Sequence, residues 1–214
     1  MEASPKERAV RFRLMFWSLY AVSVVMKNIF ATKTWRIGFL QAPAGYIFEP
    51  ITFIAQDVEA ETRGYKSARA MVWWGFALNL LVAVTAWIAI ILPNAGAPEV
   101  QTAFEIVLGN VPRILLASLT AYLVGGTLNV RIMTELKARG SRSLFTRVIV
   151  STIFGQLVDN LLFSSIAFFG VMPYPEILYM AVTMTLLETI YEIIFFPITK
   201  WTIRKIRTLE QEAV

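Results

Sequence analysis

The chain has 214 residues, is 57% hydrophobic and only 16% charged, and has a mean hydropathy of +0.59. That balance excludes an ordinary soluble domain and points to an integral membrane protein. The absence of Cys and His excludes disulfides, thiolate chemistry, the usual zinc and haem sites and histidine proton relays, so no cofactor and no metal site are expected.

Six apolar runs follow one another: 14–31, 38–56, 71–92, 111–130, 148–169 and 177–197. A bilayer core of about 30 Å needs roughly 20 apolar residues per helix. The reading is an all-α membrane protein, a six-helix bundle in which residues 1–214 form one membrane domain. Only short loops remain, and the function must sit within the bundle or at its faces.

The first run is preceded by Lys6, Arg8, Arg11 and Arg13, as in a signal peptide, but it continues into Lys27 without a small-x-small cleavage pattern. It reads as a retained helix carrying Ser23 and Lys27. In the second run, "QAPAGYIFEP" places Pro43 and Pro50 around Gly45, which predicts a kink or partial unwinding. Such a break either lines a polar cavity or fits a neighbouring helix. Asp57, Glu59 and Glu61 close that run beside Arg63, Lys66 and Arg69, where surface ion pairing accounts for them.

The fourth run places Ser118, Tyr122, Gly125 and Asn129 at i, i+4, i+7 and i+11, one stripe on a 3.6-residue helix. Its small residues also suit close helix packing. In the fifth, "STIFGQLVDNLLFSSIAFF", Thr152, Gln156, Asp159 and Phe163 repeat that spacing. The sixth sets Thr185, Glu188 and Glu192 on one face with Tyr191 beside them, and its charged end "KWTIRKIRTLEQEAV" reads as a helical extension into the cytoplasm. An ionised side chain at mid-membrane costs about 2.5 to 3.5 kcal/mol on insertion scales. Lys27, Asp159, Glu188 and Glu192 therefore need partners, water or a ligand, and one lysine cannot neutralise three acids.

Of the twenty Lys and Arg residues, sixteen fall before the first run or after the second, fourth and sixth, including Lys137, Arg139, Arg142 and Arg147. By the positive-inside rule both termini are cytoplasmic, and "PNAGAPEVQTAFEIVLGN" and "GVMPYPE" are outward loops. This bias explains the net charge of +5 without nucleic acid. Trp35, Trp73 and Trp201 near span ends read as interfacial anchors. "TFIAQ" from Thr52 echoes "TIFGQ" from Thr152, which would fit an inverted three-plus-three repeat or chance.

Carboxylates, amides and aromatic rings together suit a flat heterocycle with a guanine-like edge, and the acids would serve a cationic amine equally well. The residues alone leave both open. "PITFIAQDVEAETRGYKSAR", "ASLTAYLVGGTLN", "STIFGQLVDNLLFSSIAFFG" and "ETIYEIIFFP", in that order, resemble the queuosine precursor transporter family, also called the vitamin-uptake-transporter-like family. The resemblance implies an inner-membrane importer of 7-deazaguanine bases such as preQ0, preQ1 or queuine. It carries over Asp57, Glu61 and Gly64, then Ser118, Tyr122 and Asn129, then Ser151, Thr152, Gln156 and Asp159 as motif positions. Where many members have Lys nine residues before the sixth-helix proline, this chain has Glu188 before Pro197, which would favour a positively charged or donor-rich base.

The expected substrate-binding set is thus Asp57, Ser118, Tyr122, Asn129, Thr152, Gln156, Asp159, Glu188 and Glu192. The sequence contains no G-x-x-x-x-G-K-[ST] loop, so any ATP hydrolysis would belong to a partner. An external ATPase in an energy-coupling-factor complex stays open, although "AVSVV" from Ala21 is not an Ala-x-x-x-Ala docking pattern. So does a homo-oligomer. A carboxylate-only intramembrane enzyme is the remaining alternative, and the expectation is that the chain is not an enzyme.

Overall fold

The computed structural model describes residues 4–139 and 144–211; Arg142 and the charged residues at both extremes of the chain lie outside them. Helix α1 (Pro5–Phe30) starts at a capping box in which the Glu7 N–H donates to Ser4 Oγ and the Ser4 N–H donates to the Glu7 carboxylate. Strands β1 (Thr34–Ile37) and β2 (Leu40–Pro43) then form an antiparallel hairpin, followed by a 3-10 turn (Ala44–Phe48) and α2 (Glu49–Arg63). Helix α3 spans Tyr65–Ile91, α4 Pro98–Leu108 and α5 Val111–Ala121. A five-residue π-helical segment (Tyr122–Gly126) joins α5 to α6 (Thr127–Ala138), and α7 (Leu144–Phe168) and α8 (Tyr174–Gln211) complete the described chain.

Among the described residues, five helical stretches are long and apolar enough to cross a membrane: Glu7–Phe30, Tyr65–Ile91, Pro98–Asn129, Ile149–Phe168 and Tyr174–Leu209. The missing one is the expected second span, 38–56, which is hairpin, 3-10 turn and the start of α2. The break is larger than a kink because three local signals coincide. Gly38 takes φ +58° in the two-residue turn, a conformation that favours glycine first in a tight hairpin loop. Pro43 closes β2 without a further N–H to pair, and Pro50 is tolerated near the start of α2, where helix N–H groups lack intrahelical partners anyway.

Non-helical backbone at membrane depth must find polar partners within the protein. Thr183 of α8 supplies two: its Oγ1 accepts from the Gln41 N–H at 3.3 Å and donates to the Gln41 carbonyl at 2.5 Å. The Trp35 indole N–H donates to the Pro43 carbonyl at 3.2 Å, so Trp35 braces the hairpin instead of serving as a free interfacial anchor. Trp201 and Trp73 are both exposed, as anchors would be, and Trp73 also lies at the rim of the central cavity. The expected outward loop 93–110 is mostly helix, α4.

Helices α7 and α8 pack along each other around Met180, Met184, Ile177 and Ala167. Leu81, Trp87, Leu116, Val182 and Ile194 point outward and are exposed, as a lipid-facing surface requires. The two ends of the described chain meet at one end of the bundle. Arg13 of α1 approaches buried Glu59 at 3.4 Å, Arg207 of α8 approaches Glu61 at 3.4 Å, and Lys205 lies over the Phe12 ring. The hairpin sits at the other end.

Candidate functional site

A cavity of about 660 Å³ occupies the middle of the bundle, a size suited to a small-molecule ligand. It runs from buried Ala31 and Pro43 below the hairpin to exposed Tyr65 and Arg69 at the end that carries both termini.

The broken second segment builds one wall. Tyr46 and Glu49 enter the cavity from the 3-10 turn and the first residue of α2. Gly45 makes this possible: a Cβ there would fall 2.1 Å from the Lys27 carbonyl oxygen, so only glycine lets the turn lie against α1. Lys27 Nζ donates to Glu49 Oε1 at 2.7 Å and Oε2 at 3.0 Å, and Thr52 Oγ1 donates to Glu49 Oε2 at 2.7 Å. Lys27 therefore pairs with one carboxylate, as its place in the first span suggested, and the carboxylate is Glu49. Further along α2, Gln56 and Asp57 line the cavity. Asp57 is half-buried and faces Glu192 of α8, so the surface ion pairing expected of it is taken instead by its neighbours: Glu59 by Arg13 and Arg63, Glu61 by Arg207.

The opposite wall comes from the π-helical segment and α7. A π turn shifts the register of the residues around it and recurs at functional sites; here Tyr122, Gly126, Thr127 and Asn129 all reach the cavity. Two glycines bring this segment against α7. A Cβ on Gly125 would meet Asp159 Cβ at 2.6 Å, and one on Gly155 would meet Asn129 Cβ at 2.6 Å. Gly125 is thus a packing residue that sets the position of Asp159. Gly125→Ala should shift Asp159 by several tenths of an ångström and destabilise the protein by about 1 to 3 kcal/mol, read as a lower unfolding temperature in detergent.

Of the nine residues expected from the sequence, seven line this one cavity: Asp57, Ser118, Tyr122, Asn129, Gln156, Asp159 and Glu192. Thr152 and Glu188 do not; both are buried behind its wall. Glu188 Oε1 lies 2.7 Å from the Tyr46 hydroxyl and its Oε2 accepts from Asn160 Nδ2 at 2.6 Å. Ser118 Oγ donates to Asn28 Oδ1 at 3.3 Å, and the Asn28 amide donates to Asn79 at 2.8 Å, a buried polar row tying α5, α1 and α3 together.

Sequence reasoning did not select Tyr46, Glu49, Asn28 or Asn160. Glu49 had a visible signal, an acid between two prolines inside an apolar run. Asn160 interrupts the fifth run beside Asp159 but lies off the stripe that organised the reading. Chemically, the cavity sets the acids of Asp159, Asp57 and Glu192 and the amides of Gln156 and Asn129 around open space. An aromatic wall completes it, with the Phe76 and Tyr122 rings 5.5 Å apart. Such a lining can read a hydrogen-bonding edge and stack a flat ring. Among the described residues, no three or more acidic side chains are grouped to hold a metal ion.

A family model described as "Putative vitamin uptake transporter" matches residues 43–202. The chain is 30% identical over 186 residues, 86% of its length and 80% of the relative's, to the "Probable queuosine precursor transporter" of Bacillus subtilis (strain 168). It is 28% identical over 161 residues, 74% of its length and 70% of the relative's, to the "Queuosine precursor transporter" of Escherichia coli (strain K12). No solved structure matches it significantly.

Proposed function

The chain belongs to the vitamin uptake transporter family, making it a multi-pass transporter of the bacterial membrane and not an enzyme, and on that premise we propose that it imports a queuosine precursor. The substrate is a 7-deazaguanine base, preQ0, preQ1 or a queuine-type relative, taken up across the inner membrane for salvage into tRNA. The observation that carries this reading is the convergence of Asp159, Gln156, Asn129 and Tyr122 on one cavity with ample room for a purine-like base, in a chain whose two named relatives are called a queuosine precursor transporter and a probable one.

Asp159 accepts the paired N–H donors of the guanine-like edge, Gln156 or Asn129 answers its carbonyl, and Tyr122 or Phe163 stacks on the ring. Lys27 is committed to Glu49. Asp57 and Glu192, toward the end of the cavity near both termini, favour a base that carries a protonated amine. Both termini are cytoplasmic in this reading, so the cavity opens inward and the hairpin closes it from outside. The broken α2 region and α7, which carry the echoing "TFIAQ" and "TIFGQ" segments, are the equivalent middle helices of the two halves of an inverted three-plus-three repeat, and these halves rock between two openings. No ATPase partner and no second copy of the chain are required.

The test uses a bacterial strain lacking its own queuosine synthesis and importer, supplied with low preQ0, preQ1 or queuine, together with the salvage enzymes each base requires. Queuosine in tRNA is read by boronate gel shift. Restoration by the parent is expected for at least one base. Asp159→Asn, which removes one charge-assisted contact worth about 1.5 to 3 kcal/mol, should lower uptake about 10- to 100-fold at equal membrane abundance. No restoration with any base would reject the substrate class.

A further inference from the structure

Tyr46, Asn160 and Glu188 form a closed ring of three contacts: Tyr46 O to Asn160 Oδ1 at 2.8 Å, Asn160 Nδ2 to Glu188 Oε2 at 2.6 Å, and Glu188 Oε1 to Tyr46 O at 2.7 Å. Each is short enough to require a hydrogen between the heavy atoms. A tyrosine hydroxyl brings one hydrogen and the amide edge facing the ring brings one. With Glu188 ionised, three contacts share two hydrogens. Flipping the Asn160 amide does not help, because its oxygen would then face Glu188 Oε2 at 2.6 Å with nothing between. Both orientations close only if Glu188 carries the third hydrogen.

The surroundings agree with this count. Glu188 is 2% exposed, and its direct partners are neutral. The ionisable groups facing it are Lys27 from α1, Glu49 from α2, Asp159 from α7, Tyr46 from the 3-10 turn and Tyr191 on its own helix, with Glu192 one turn further along α8 and itself facing Asp57. The one cation in this set, Lys27, is held by both oxygens of Glu49. Asn160 is further fixed by donating to Thr185 Oγ1 at 3.1 Å. Tyr46 and Asn160 line the cavity, so a single layer of side chains separates Glu188 from it.

We infer that Glu188 is a proton-carrying site, closed by Tyr46 and Asn160, that couples substrate movement to the entry of one proton. The inference rests on the transport reading above. With Glu188 protonated, its O–H donates to Tyr46 O, Tyr46 donates to Asn160 Oδ1 and the ring is complete. When that bond breaks, the proton passes to cavity water and the carboxylate keeps the Asn160 N–H and the Tyr46 O–H. The contact between Tyr46 O and Asn160 Oδ1 is left without a hydrogen, so Tyr46 separates from α7. Tyr46 sits on the 3-10 turn directly after the hairpin that closes the cavity. Loss of the proton inward thus loosens the element that must move for the outward opening to form, and protonation from outside restores it.

The test reconstitutes the full chain in liposomes loaded with a pH-sensitive dye, with the membrane potential clamped at zero by valinomycin and potassium. Labelled 7-cyano-7-deazaguanine and 7-aminomethyl-7-deazaguanine are the probes, and protein-free liposomes correct for passive redistribution of the amine. Counterflow of unlabelled against labelled base establishes transport. An acid-outside gradient of about one pH unit should then drive accumulation of up to about tenfold, and adding substrate should acidify the lumen. In Glu188→Gln the amide reproduces the neutral, hydrogen-bonded acid, and accumulation normalised to its own counterflow should become independent of the gradient, with no dye response. Tyr46→Phe, which opens the ring without touching the carboxyl group, should lower the same ratio.

Counterflow by the parent with no effect of the gradient would overturn the proton site and leave the transport reading intact. Gradient-driven accumulation surviving in Glu188→Gln would overturn it as well. Absence of counterflow for both bases would overturn the transport reading, and the proton site with it.

Discussion

Glu49→Gln is expected to lower the stability of the protein by about 3 kcal/mol, the lower end of the range for removing one member of a buried ion pair, because the Lys27 side chain keeps 29% exposure to the cavity. The carboxylate receives Lys27 through both oxygens and Thr52 through one, and it stands at the first position of α2, where the helix dipole also favours an anion. The amide leaves the ammonium group without its hydrogen-bonded counter-charge, and Asp159, the next acid facing it, makes no direct contact in its place. Thermal unfolding in detergent checks this, with the double variant Lys27→Met, Glu49→Gln as the control. Removing both charges should recover most of the loss, since the penalty comes from the uncompensated cation. Equal unfolding temperatures for the parent, the single and the double variant would show that the pair contributes nothing.

The second large effect is Gly45→Ala. A methyl group there meets the Lys27 carbonyl oxygen at 2.1 Å and the Lys27 C and Cα atoms at 2.8 Å. All three are backbone atoms of a helix, so no rotamer change can relieve the contact. Either the 3-10 turn must leave α1, taking Tyr46 and Glu49 out of the cavity, or α1 must bend. A loss of at least about 3 kcal/mol follows, with membrane abundance and uptake both falling severely. Gly38→Ala is the comparison that isolates the cause. Its position is open space with φ +58°, so the cost is confined to backbone strain of about 1 to 2 kcal/mol. Similar abundance for the two variants would mean that the close approach at Gly45 is not what holds the turn.

Much of the site was legible in the sequence because intramembrane polar residues are costly and few, and a helical stripe collects those on one face. Tyr122 and Asn129, Gln156 and Asp159 were found this way and do meet in one cavity. Glu188 obeyed the same pattern yet lies behind the wall. The face of a long helix that carries its polar stripe can meet a neighbouring helix as well as open space, and Asn160 and Tyr46 stand between Glu188 and the cavity. The break in the second run was announced by Pro43, Gly45 and Pro50, but its extent was not. A hairpin packed against helices in place of a span is stable only if distant groups satisfy its backbone, and Thr183, 142 positions from Gln41, is one of them.

By itself the sequence determined the membrane class, the positions of five of the helical spans and the family, because apolar length, charge bias and motif order are local properties that lipid and descent impose residue by residue. Only the tertiary structure decided that Lys27 belongs to Glu49, that Gly125 and Gly155 seat the π-helical segment against α7, and that Tyr46 closes a ring with Asn160 and Glu188. These pairings join positions far apart in the chain. In a low-dielectric interior such polar groups are stable only once matched, and the partner that matches each is chosen by packing geometry, which no local pattern records.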